Sequence, residues 1–127
     1  MMLELEAGTT LGDVSKVLST MNACYGEAAG RLEGNFQRSN CFFSFLLIDP
    51  PAPIAAENFE DDWLVSVRGL FEVRANVMEN SEDDIQEFLS IFYRMFSFKF
   101  VLSFQFESIY SVRGDVGVSI LKRMVWK

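Results

Sequence analysis

Two acidic triplets, Glu60-Asp61-Asp62 and Glu82-Asp83-Asp84, are the densest clusters of titratable side chains in the sequence, and each sits in a near-repeat, "NFEDDW" and "NSEDDI". Carboxylates this close could bind a hard cation, share protons as an acid–base pair, or present charge to a basic partner. Calcium loops place acids at alternating positions around a glycine bend, and neither triplet has that spacing, so no metal is assigned. The acids fall where solvent is expected, and the chain has no Gly-rich phosphate loop and no nucleophile elbow. It also has no histidine, which removes the commonest general base and the commonest metal ligand together. Cys24 and Cys41 lack metal spacing and fall at apolar-facing positions, so both are expected to be reduced core residues. The chain is read as non-enzymatic, with no catalytic residue, metal or cofactor.

That leaves charge as the chemistry. Of the net −7, residues 49–87 contribute most, with eleven acids against Arg68 and Arg74 only, whereas residues 88–127 hold two acids against six bases. A field of one sign steers oppositely charged molecules, so the expected partner is a basic protein rather than nucleic acid. No apolar run approaches the ~18–20 residues of a membrane span. Met1–Glu6 carries two acids and no base, unlike a signal peptide, which implies a cytoplasmic chain.

The elements that must position these acids follow from periodicity over one domain, residues 1–127. "LELE" after Met2 alternates as a short strand. Thr10 and Asp13 form a capping box before a helix expected from about Leu11 into the mid-twenties or beyond, on the spacing of Val14, Leu18, Met21, Tyr25, Ala28 and Leu32. "CFFSFLLI", Cys41–Ile48, is apolar on both faces and predicts a buried central strand. Asp49–Asp62 is expected to be a long irregular loop, because Pro50, Pro51 and Pro53 oppose strand pairing. Trp63–Met78 alternates with Trp63, Val65, Val67, Phe71 and Val73 on one face, predicting one long strand bent or bulged at Gly69. Ser81 is the expected cap of a second helix with the stripe Ile85, Phe88, Leu89, Phe92 and Phe96. Phe98–Phe106 alternates as a strand, Tyr110–Gly114 is expected to turn, and residues 116–126 lean towards a strand. The order β-α-β-β-α-β plus a C-terminal extra strand implies an α+β, ferredoxin-like split βαβ fold, its antiparallel sheet covered on one face by two helices.

Within this frame the second triplet is explained as helix capping by acids at the positive end of a helix dipole. Asp83 and Glu87, four apart, remain as a like-charge pair facing solvent. The first triplet precedes a strand, where acids have no capping role. Glu57, Phe59, Glu60, Asp61 and Asp62 therefore read as a recognition loop, with Phe59 an apolar anchor among charges, and Asp83 and Glu87 as secondary partner-binding residues.

With its acidic segments "ENFEDDW" and "ENSEDDIQE", its size and its layout, the chain resembles the small acidic bacterial immunity proteins. The resemblance implies the inhibitor of a cognate toxin domain, basic and often a nuclease, delivered by secretion or contact. A ferredoxin-like regulatory module that binds a small ligand, or that dimerises through a sheet edge, is the alternative from another class.

Overall fold

A computed structural model describes residues 1–57, 59, 61–73, 78–104, 108–114 and 117–120. The chain is α+β: among the described residues it has an eight-stranded antiparallel sheet and two helices. The elements are β1 (Met2–Glu6), α1 (Leu11–Thr20), β2 (Cys24–Ala28), β3 (Arg31–Asn35), β4 (Phe42–Pro53), β5 (Leu64–Glu72), α2 (Met78–Met95), β6 (Phe100–Phe104), β7 (Ser108–Gly114) and β8 (Gly117–Ile120). Strands run β2-β3-β4-β5-β1-β6-β7-β8 across the sheet, several more than the four or five that periodicity suggests.

Helix α1 starts as its sequence dictates. Asp13 N donates to Thr10 Oγ1 at 3.1 Å and Thr10 N to Asp13 Oδ2 at 3.0 Å, so two free amides of the first turn are satisfied reciprocally. The helix stops at Thr20, well short of the expected end, as Asn22 turns to a left-handed φ of 56°. Residues 24–35 form a hairpin instead. Its two-residue connection, Ala29 (φ 51°) and Gly30 (φ 77°), has the double positive φ that matches the twist of paired strands. Tyr25 and Leu32 mimic helical spacing because each strand of the hairpin aims one of them at α1 and the core. Tyr25 Oη lies 2.7 Å from Ser15 Oγ and 2.6 Å from Ser19 Oγ. Cys24, expected inside, is exposed on the edge strand, whereas Cys41 is buried.

The main core lies between the helices and one face of the sheet. Leu3, Leu5, Phe43, Phe45, Val67, Phe71, Phe100 and Leu102 meet Val14, Leu18, Ile85, Phe88 and Phe92. Phe88 is at the centre, its ring 5.4 Å from Phe45, 5.9 Å from Phe71 and 6.3 Å from Phe92. Gly69 is not a bulge. It pairs with Leu3 and Phe45, and the Phe45 ring lies so close that a Cβ there would sit 2.6 Å from Phe45 Cε1. Gly69→Ala should therefore destabilise by about 1–3 kcal/mol, since Phe45 is fully buried and has nowhere to retreat. Chemical denaturation measures it; an unchanged midpoint would mean that the ring yields freely.

Several expectations change in the β4–β5 hairpin. β4 runs through all three prolines, because residues 48–51 leave the ladder between Leu47↔Val67 and Ala52↔Val65 and pairing then resumes to Pro53↔Leu64. Burial of β4 ends at Phe45: the adjacent Leu46 and Leu47, which point to opposite faces of the strand, are 39% and 41% exposed. β5 ends at Glu72 and α2 begins at Met78, three residues before the expected cap Ser81; Arg74–Val77 lie outside the described residues. Pairing of β5 with β1 shifts register between Leu5↔Val67 and Glu6↔Val65. The shift throws Val65 and Trp63 onto the opposite sheet face from Val67 and Phe71, because a one-residue slip inverts side-chain direction.

Beyond α2, Tyr110–Gly114 belongs to β7 rather than to a turn. Arg113 Nη1 donates to the carbonyls of Tyr93 (3.0 Å) and Phe96, and its guanidinium carbon lies 4.2 Å from the Tyr93 ring centre. A cation thus closes the negative end of α2. Of the C-terminal strand expected over 116–126, Gly117–Ile120 is β8, and Val116 and residues 121–127 lie outside the described residues.

Candidate functional site

The sheet face away from the helices carries the segment expected to be a recognition loop. Residues 54–57, 59 and 61–63 lie across it as a strap, with Ala56, Trp63, Val65 and Val101 in a second, smaller apolar cluster against which Ile54, Phe59, Ile109 and Val112 pack. The strap is tied down by a residue that alternation assigns to solvent. Glu4 is completely buried, and its carboxylate accepts from Ala55 N at 2.9 Å, Ala56 N at 2.9 Å and Arg68 Nε at 3.1 Å. Arg68 Nη2 donates in turn to the Pro53 carbonyl at 2.8 Å. A buried carboxylate is tolerable only when paired and hydrogen-bonded, and this one is both.

The expected recognition residues divide clearly. Glu57, Asp61 and Asp62 are exposed on the strap. Glu60 lies outside the described residues. Phe59 is not a free anchor: it is half-buried, edge-on to Trp63 with ring centres 6.1 Å apart at 76°. Asp49 stands exposed on the β4 excursion at the same end of the hairpin. Leu46, Leu47 and Leu64 (45%) add exposed apolar surface to that hairpin. The segment from Leu47 to Leu64 contains no lysine or arginine at all.

The second triplet lies on the other side of the sheet and is largely structural. Asp84, 3% exposed, accepts from Ser39 N at 3.0 Å and lies 3.9 Å from Arg38 Nε, so it holds the turn before β4 rather than capping its own helix. Glu87 Oε2 lies 3.6 Å from Arg38 Nη2, so the repulsion expected between Asp83 and Glu87 is offset by a base the sequence reading did not place there. Asp83 remains exposed. The strap and the α2 acids therefore do not converge on one surface.

Glu4, Arg68 and the three leucines were missed by sequence reasoning. Leu46 and Leu47 had a signal, since the unbroken "FLLI" run puts apolar residues on both faces of one strand, and a sheet covered by helices on one face does not cover both. Glu4 had none, since its partners are more than fifty residues away.

Among the described residues no group of His, Cys, Asp and Glu could hold a metal ion, and no helix is long and apolar enough to cross a membrane. Burial pushes the Cys41 thiol up to about 11, with the nearby Ser81 hydroxyl pulling the other way. Raised above its ordinary value of 9.0 in the fold, the thiol favours the native state fully below that value, and the benefit is lost as pH rises towards 11. At neutral pH, Cys24 should label rapidly with a thiol reagent and Cys41 only as the protein opens. Equal labelling rates for both cysteines in the native protein would contradict the burial of Cys41.

No family model matches the chain, and comparison with curated proteins and with solved structures finds no similar one.

Proposed function

We propose that this chain is an immunity protein, which binds and neutralises a basic toxin domain, a nuclease being the first candidate, through the end of the β4–β5 hairpin. One observation carries the reading: exposed Leu46, Leu47 and Leu64 share that hairpin with Asp49, Glu57, Asp61 and Asp62, and the connecting segment holds no base. Exposed apolar side chains on a hairpin whose connection carries one sign of charge suit a partner that offers both apolar contact and a basic surface. The fold we assign is a ferredoxin-like core, β1-α1-β4-β5-α2-β6, with β2–β3 and β7–β8 added outside it. The order β4-β5-β1-β6 at the centre of the sheet supports that assignment.

The test is binding to the product of the reading frame directly upstream, expressed as a domain with its activity disabled. Tight association is expected, with an on-rate that falls steeply as salt is raised and an off-rate that changes little. An on-rate flat across salt, or no association, would remove the proposal. A second reading, a regulatory module dimerising by sheet-edge pairing, is favoured by β2, an edge strand paired only with β3. Sedimentation as a monomer at high concentration would exclude it.

A further inference from the structure

The ion pair beneath the strap has a role beyond holding the fold together. We propose that Glu4 and Arg68 are positioning residues for recognition: a latch, its carboxylate buried and its guanidinium partly exposed, that keeps the acidic strap closed over the sheet in its binding shape. The consequence for binding rests on the strap being the recognition surface; the latch itself does not.

Three features support it. The latch engages three residues within four at the root of the strap, Pro53, Ala55 and Ala56, using both carboxylate oxygens and two nitrogens of the guanidinium. It therefore dictates the path of the backbone rather than one side chain. The apolar cluster beneath is separate from the main core and, among the described residues, takes Ile54, Ala56, Phe59 and Trp63 from the strap, whose side chains alone leave the backbone amides of Ala55 and Ala56 without a partner. The closed strap also carries internal opposition. Glu57, Asp61 and Asp62 gather like charge in a segment with no base, and the buried Trp63 indole N–H has no acceptor among the described residues. A buried ion pair contributes little net stability compared with apolar packing of the same volume, but it enforces one geometry. That is the property a preorganised binding loop needs, since ordering a loop on binding costs affinity.

Amide exchange followed by NMR on the whole chain tests the latch. In the wild type the Ala55 and Ala56 amides should exchange by local opening, faster than the sheet amides of Glu6 and Phe71. Glu4→Gln replaces one acceptor oxygen by an NH2 donor, which must face another donor from Ala55, Ala56 or Arg68. Exchange at Ala55 or Ala56 should then rise by about 10- to 100-fold, the loss expected for a charge-assisted bond, with Glu6 and Phe71 unchanged. Arg68→Lys, which keeps the charge but loses the fork to Pro53, should act in the same direction. The on-rate for the upstream domain should fall about tenfold in Glu4→Gln although every strap acid remains. If Ala55 and Ala56 exchange only together with Glu6 and Phe71 in the wild type, there is no separate latch. Unchanged exchange at Ala55 and Ala56 in both variants would also overturn it, and exchange that rises without loss of on-rate would remove the positioning role. Should the wild type fail to bind the upstream domain, the functional reading fails while the exchange result still decides the latch.

Discussion

Reversing Asp61 and Asp62 to lysine should slow association with the proposed basic partner by about 10- to 100-fold, within the range that electrostatic steering spans. Both side chains are exposed, and Asp61 Oδ1 accepts from the backbone N–H of Asp62 at 3.1 Å, so their loss leaves no buried group unpaired. The unfolding free energy should therefore move by less than about 0.5 kcal/mol. The matching reversal on α2, Asp83→Lys, should leave the on-rate nearly unchanged, because that helix packs on the opposite side of the sheet from the strap. Stopped-flow association at two salt concentrations separates the cases. Loss of binding in the α2 variant, with normal binding in the strap variant, would transfer recognition to the helix face.

The largest stability effect is expected at Phe88. Its ring is fully buried and touches rings from β4 and β5 as well as the next turn of α2. Phe88→Ala should cost about 3–5 kcal/mol through lost burial and a cavity that three neighbouring rings cannot fill. Against a total stability of about 5–15 kcal/mol, that is enough to leave the variant marginal. Urea unfolding followed by circular dichroism measures it, and a cost below about 1 kcal/mol would mean that the neighbouring rings collapse into the space.

These two predictions draw on different parts of the sequence, and so does its legibility. The stripe Ile85, Phe88, Leu89, Phe92 marks α2 because four apolar residues at helical spacing have one face to bury. The Thr10–Asp13 capping box marks the start of α1 because its bonds are local, three residues apart. The acidity of the strap is a property of composition and needs no fold to be read. The end of α1 was illegible for a physical reason: Tyr25, Ala28 and Leu32 fit a period of 3.6, and two paired strands joined by positive-φ residues place Tyr25 and Leu32 on the core side equally well.

From sequence alone came the α+β class, the first strand, the start of one helix and the core stripe of the other, and the negative field of the middle third. Each depends on periodicity, on bonds within one turn, or on a sum of charges. Only the tertiary structure decided that Glu4 is buried, that Val65 and Trp63 face away from Val67, that prolines can continue β4, and that Arg38 balances Glu87. These depend on pairings between distant segments: a register shift between β1 and β5, an excursion that carries Pro50 and Pro51 out of the ladder, and a carboxylate on the first strand that finds amides past residue 50. A residue's face in a strand is set by what the strand pairs with, and that partner is chosen by the whole chain.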